Sequence, residues 1–148
     1  MSEPWYELLH HGPRVRVAVR LQPDDAEVIE LAGGDPPSQP LVGMALIDTG
    51  ANLTVVDDRV WKALKPTIHG ETALKGFRDG TSSVVPRFHI ELAFPGSDLP
   101  LWQGAVAGAP LASKTGSLVV LLARDFLRDH TLTYRGRDGT FALRHWSS

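Results

Sequence analysis

The chain has 148 residues, 15 basic and 17 acidic side chains, a net charge of −2 and no cysteine. That length fits one domain with a self-sufficient core. The missing thiols exclude a disulfide scaffold, a thiolate metal centre and a cysteine nucleophile, and the missing basic excess leaves neither nucleic acid nor an anionic membrane as an expected partner.

The N-terminus, Met1 to Val15, lacks a basic start followed by an apolar core. The longest strongly apolar run, Leu118 to Ala123, falls far short of the roughly 20 residues of a membrane span. A soluble, cytoplasmic protein is therefore expected, with residues 1–13 as a tail and 14–146 as the domain.

Val15, Val17, Val19 and Leu21 alternate with Arg14, Arg16, Ala18 and Arg20, the period of a half-buried strand. Gln22 to Gln39, rich in Pro, Asp and Gly, reads as a long loop with at most a short strand at Glu27–Leu31. Leu41 to Ile47 is apolar almost throughout and is expected to be a strand buried on both faces. Leu53 to Val56 continues as β structure. Asp57 then caps a short helix with Val60, Trp61 and Leu64 on one face and Pro66 beyond its end. Ala73–Phe77 and Ser82–Phe94 flank Asp79-Gly80, a hairpin signal. Strands are expected again at Leu101–Ala107 and Leu118–Leu122, then one or two helical turns at Ala123–Asp129 and a second hairpin, Thr131–Arg135 with Thr140–Arg144. About eight short strands and two short helices make an all-β protein, a closed or partly closed barrel.

Within this pattern one segment carries chemistry. The apolar run Ala45-Leu46-Ile47 leads straight into Asp48-Thr49-Gly50-Ala51-Asn52, and Leu53-Thr54-Val55-Val56 follows. An ionisable group at the end of a buried strand is costly unless it is paired or hydrogen-bonded. Asp and Gly are also ordinary turn residues, so a turn in an unrelated small barrel is one reading of the triplet. The apolar context on both sides sets it apart from a surface turn. Some seventy residues on, Leu118 to Leu122 leads into Ala123-Arg124-Asp125.

With Asp48-Thr49-Gly50-Ala51, the hairpin around Asp79-Gly80 and Ala123-Arg124-Asp125 in that order, the sequence resembles the retropepsin-like aspartic proteases, over residues 14 to 144. The resemblance implies a closed β-barrel with a flap hairpin and one or two short helices. It also implies an aspartic endopeptidase that needs no cofactor. Two adjacent carboxylates share one proton, so one can activate water while the other polarises the scissile carbonyl. This chain is too short for two lobes and holds no second such triplet; Arg78-Asp79-Gly80 and Arg137-Asp138-Gly139 lack the hydroxyl residue. An active enzyme must then be a homodimer with one Asp48 from each copy.

The same resemblance implies roles for the neighbours. Thr49 would link the two loops across the dimer axis, Gly50 would allow close approach, and Ala51 would line the pocket wall. Arg124 and Asp125 would brace the loop from behind. Phe77, Arg78, Asp79 and Gly80 would form the flap over an extended peptide. Thr131–Trp146 and the N-terminal segment would supply the dimer interface, and Leu53, Val55, Phe77 and Val106 the substrate pockets. Ala123 stands where the family usually has glycine, and Asn52 where retroviral proteases carry an aspartate; its amide could still bond Arg124. A non-catalytic dimerisation or peptide-binding module of the same fold is the alternative.

The remaining polar residues read plainly. His10-His11 lacks a third ligand at useful spacing, so no metal is expected. His89 alternates outward and is expected to be solvated. Trp5, Trp61, Trp102 and Trp146 read as core or interface aromatics.

Overall fold

The computed structural model describes residues 12–75, 82–111 and 116–147. Among them nine strands and three short helices follow one another: β1 (Arg14–Leu21), α1 (Pro23–Leu31), β2 (Leu41–Ile47), β3 (Val55–Asp57), α2 (Asp58–Leu64), β4 (Ile68–Lys75), β5 (Ser82–Ala93), β6 (Trp102–Ala109), β7 (Leu118–Leu122), α3 (Arg124–Leu127), β8 (His130–Arg135) and β9 (Thr140–His145).

Six strands close a barrel in the order β1-β2-β7-β3-β6-β5, and β5 returns to β1 between Ala18↔Ala93 and Leu21↔Ile90. β2 with β7 and β3 with β6 are parallel; the other pairs are antiparallel. The fold is thus all-β and closed, as the alternating patterns imply. β4 lies outside this circuit, paired only to β5. Inside sit Val17, Val19, Ala45, Val56, Phe88, Ile90, Leu92, Val106, Val120 and Leu122, all fully buried. α3 adds Phe126, whose ring lies 5.4 Å from Phe94 and 5.8 Å from Trp102.

Three expectations are corrected. Pro23 to Leu31 is a helix, not a loop or strand. Pro23 stands in its first turn with Asp24 and Asp25, where fixed φ and negative charge both suit a helix N-terminus. Gly33, at φ +84°, follows its end. β2 is not buried on both faces: Ala45 and Ile47 point inward, but Val42 is 61% exposed on the outside of the barrel. β4 begins five residues before the expected Ala73.

α2 forms as expected. The Asp57 carboxylate accepts from the Arg59 backbone N–H at 3.0 Å, Lys65 closes the helix in the left-handed region, and Pro66 follows. Asp57 does more than cap. It also takes the Leu111 N–H at 2.9 Å and Arg59 Nε at 2.7 Å, while Arg59 reaches the carbonyls of Gly116 and Leu118. β8 and β9 form a separate two-stranded sheet, held to the barrel by Leu132, Phe141 and Leu143 packed against the core.

Candidate active site

β2 and β7 run parallel, so both reach the same end of the barrel, and the segments that leave them meet there. The Asp48 N–H donates to the Leu122 carbonyl at 2.9 Å, and the Arg124 N–H donates to the Ala51 carbonyl at 3.0 Å. The Asp48–Ala51 loop is therefore laced to the β7–α3 junction on both sides. Asp48 is half-buried, whereas Thr49 and Gly50 are exposed.

Within the loop the Gly50 N–H donates to Asp48 Oδ1 at 2.9 Å, and the Ala51 N–H reaches back to the Asp48 carbonyl at 3.4 Å. A Cβ on residue 50 would stand 3.2 Å from that same carboxylate oxygen. Glycine thus lets the backbone N–H approach the carboxylate without crowding it. Arg124 Nη1 donates to the Thr49 carbonyl at 2.9 Å, across 75 positions of sequence.

Asp125 holds the other side. Its carboxylate accepts from Thr54 Oγ1 at 2.6 Å, the Thr54 N–H at 3.1 Å and the Phe126 N–H at 2.8 Å. Thr54 is fully buried, and its hydroxyl oxygen accepts in turn from the Ala123 N–H at 3.1 Å. The Thr54 hydroxyl and both Asp125 carboxylate oxygens are thereby bonded, the condition on which a buried polar cluster is stable. Thr54 is the member that sequence reading passed over. Its signal was a hydroxyl inside the apolar run Leu53–Val56, which costs free energy unless it finds a partner.

Asp48, Thr49, Gly50, Ala51, Arg124 and Asp125 are thus brought together. Phe77, Arg78, Asp79 and Gly80 lie outside the described residues; the strands leading to them are paired as far as Lys75 opposite Ser82. Val55 and Val106, expected to line substrate pockets, are both buried, at 5% and 0% exposure, but only Val106 belongs to the core cluster. Val106 faces the barrel interior opposite Phe88, which removes it from any peptide; Val55, next to the inward Val56, is turned to the other face of its strand with Leu121. Asn52 is exposed and makes no bond to Arg124, whose guanidinium is turned to Thr49 instead.

His89 is half-buried rather than solvated, with the His69 ring edge-on at 4.7 Å. Trp61 and Trp102 pack against the core, and Trp146 is 72% exposed. His10, His11 and Trp5 lie outside the described residues. Among the described residues no three His, Asp or Glu side chains come close enough to hold a metal, and no helix is long and apolar enough to cross a membrane.

No family model matches this chain, and no curated protein does. Among solved structures it is similar to EIAV protease complexed with the inhibitor HBY-793, at 18% identity over 79% of this chain and 86% of that one, TM-score 0.49. It is also similar to the retroviral protease-like domain of Ddi1 from Leishmania major, at 11% identity over 87% of this chain and 86% of that one, TM-score 0.46. A third is the foamy viral protease-reverse transcriptase in complex with an RNA/DNA hybrid, at 12% identity and TM-score 0.47; the match covers 77% of this chain but only 11% of that one.

Proposed function

We propose that this chain is a retropepsin-like aspartic endopeptidase that works as a homodimer, with the two Asp48 side chains facing each other across a two-fold axis. The observation that carries the reading is the mounting of Asp48. A half-buried carboxylate at the mouth of a closed barrel accepts from the Gly50 N–H, the backbone N–H of the same aspartate donates to the Leu122 carbonyl, and the loop is tied down by Arg124. A surface turn has no need of that support.

Two such carboxylates side by side share one proton, because like charges at that distance cannot both ionise. The ionised Asp48 removes a proton from a water molecule held between them. The water oxygen attacks the carbonyl carbon of the scissile amide, while the protonated Asp48 donates to the carbonyl oxygen. Collapse of the tetrahedral intermediate breaks the C–N bond, and the nitrogen leaves with a proton returned by the dyad. Thr49, exposed beside Asp48, is placed to tie one loop to its partner's. Arg124 and Asp125 hold both loops in position, and Phe77 to Gly80 serve as the flap over an extended peptide. The methyl group of Ala123 is compatible with this role. Its backbone is extended (φ −101°, ψ −172°), so alanine brings no strain where glycine is usual.

The test is a cleavage assay on a mixed peptide library from about pH 3.5 to 7.5, wild type beside Asp48→Asn. Sedimentation at the same concentrations reports the dimer. Cleavage by the wild type alone is expected, with dimers in both samples. Equal silence from both proteins while the dimer persists would replace the enzyme with a non-catalytic module.

A further inference from the structure

The β8–β9 sheet has two faces of different chemistry. Leu132, Leu143 and Phe141 pack against the core. The alternate positions form three rungs on the other face: Thr131 opposite Arg144, Thr133 opposite Ala142, and Arg135 opposite Thr140. With the edge of Phe141 these residues line an open trough of about 510 Å³. Arg135 and Arg144 are both exposed, and among the described residues neither has an ion-pair partner. From His130 to Ser147 the hairpin carries Arg135, Arg137 and Arg144 against one carboxylate, Asp138, in a chain whose net charge is −2.

We infer that this trough is a docking site for an acidic polypeptide segment in extended conformation, separate from Asp48. Charge complementarity and spacing select that occupant. The two guanidinium-bearing residues stand at opposite ends of the strip, four strand positions apart, about 13 Å at the usual rise per residue. No single carboxylate or phosphate spans that length. An extended chain with acidic side chains four residues apart does, each facing one arginine in the fork geometry that suits a carboxylate. Thr133 lies between them, and Thr131 and Thr140 stand beside the two arginines on the end rungs, their hydroxyls able to donate to backbone carbonyls or accept from N–H groups of the docked chain. A second copy of the same face is a poor occupant, since it brings arginines and no carboxylate. A nucleic acid strand, with a phosphate at every nucleotide, calls for more than two cations along such a strip.

The experiment uses the full chain with Asp48→Asn, so that no probe is cut. The probe is a fluorescein-labelled Ser/Thr dodecapeptide with two glutamates four residues apart, read by anisotropy. Its control carries glutamine at both positions. Binding of the glutamate peptide alone is expected, weakening as salt is raised. Arg135→Gln with Arg144→Gln should lower affinity by about ten-fold with an unchanged thermal melt. Arg135→Glu with Arg144→Glu should transfer the preference to the same peptide with lysines. Equal binding of the glutamate and glutamine peptides would overturn the inference. So would tighter binding of a single-stranded oligonucleotide lost with the same arginines. A shift in dimer dissociation on changing both arginines, with no change in peptide binding, would instead make the face a contact between copies.

Discussion

Thr54 and Asp125, 71 positions apart in sequence, are joined by a 2.6 Å hydrogen bond from hydroxyl to carboxylate. That bond couples the strand that follows the Asp48 loop to the helix that carries Arg124. The same hydroxyl oxygen accepts the Ala123 N–H, so one buried side chain serves two partners at the base of the candidate site.

Thr54→Val tests that coupling at almost constant shape. The valine leaves the Ala123 N–H without a partner in a fully buried place and strips one donor from Asp125. A loss of about 2 kcal/mol is expected, lowering Tm by roughly 6 °C. Thr54→Ser keeps the hydroxyl and should lose less than half as much. Equal melting of the valine and serine variants would show that packing, not the hydrogen bonds, matters there.

Gly43 is required by close approach rather than by backbone conformation. A Cβ on residue 43 would stand 2.7 Å from the Ser117 carbonyl oxygen and 2.7 Å from Val119 Cγ2. The obstacles are backbone and a buried valine, and neither can swing aside. Gly43→Ala should therefore force β2 and β7 apart and cost about 1–3 kcal/mol. Since both strands end at the Asp48 loop, the proposed peptidase activity should fall with it. A thermal melt within a degree of wild type would contradict this account.

Acid should weaken the fold in two steps. His130 Nδ1 faces the Phe126 carbonyl at 2.9 Å and so carries the proton, while its buried Nε2 has no hydrogen-bond partner. Burial, first, and the neighbouring His145 hold its pKa below 6.5, against the opposing pull of the Phe126 carbonyl and Asp129. The unfolded chain then takes up the proton first. The His130 contribution is present above pH 6.5 and is lost as the pH falls through the lower folded value.

For Asp57, burial raises the pKa. The Arg59 side chain, the backbone N–H groups of Leu111 and Arg59, and the Arg59 charge outweigh it, and the net value lies below 3.8. Its contribution is full above pH 3.8 and disappears only below it. Urea midpoints measured at about pH 8, 5.5 and 3 should show both losses. His130→Phe, which keeps the ring stacked on Phe126 at 4.1 Å, should abolish the first step, and Asp57→Asn the second. An unchanged wild-type midpoint between pH 8 and 5.5 would dispose of the His130 step.

Local patterns made the barrel readable. Strict alternation in β1 and β5 and the Asp57 cap need no information from far along the chain. The same holds for the Asp48 loop, where a charge ends an apolar strand. The α1 helix escaped notice because it has no apolar stripe: Val28 and Leu31 are 54% and 81% exposed, so its residues carry helix-end chemistry but no helical period. Thr54 and Asp125 escaped because their pairing is a property of the closed barrel. Val106 was misplaced for the complementary reason. An apolar side chain near a candidate site suits a pocket or a core equally, and only the direction in which the strand turns it decides.

The decisive prediction concerns stoichiometry. If each active centre takes Asp48 from two chains, an Asp48→Asn protomer should poison any wild-type protomer with which it pairs. Holding wild type constant and adding an equal amount of the variant, with time to exchange, should halve the cleavage rate, because about half of the wild-type chains then sit in mixed dimers. A three-fold excess should leave about a quarter of the rate. A centre built within one chain would be indifferent to the addition. The same titration with Thr49→Val in place of Asp48→Asn separates chemistry from association. A valine that weakens pairing across the axis stays out of mixed dimers and spares the wild type. A valine that pairs normally but disorders the loop inhibits as the asparagine does.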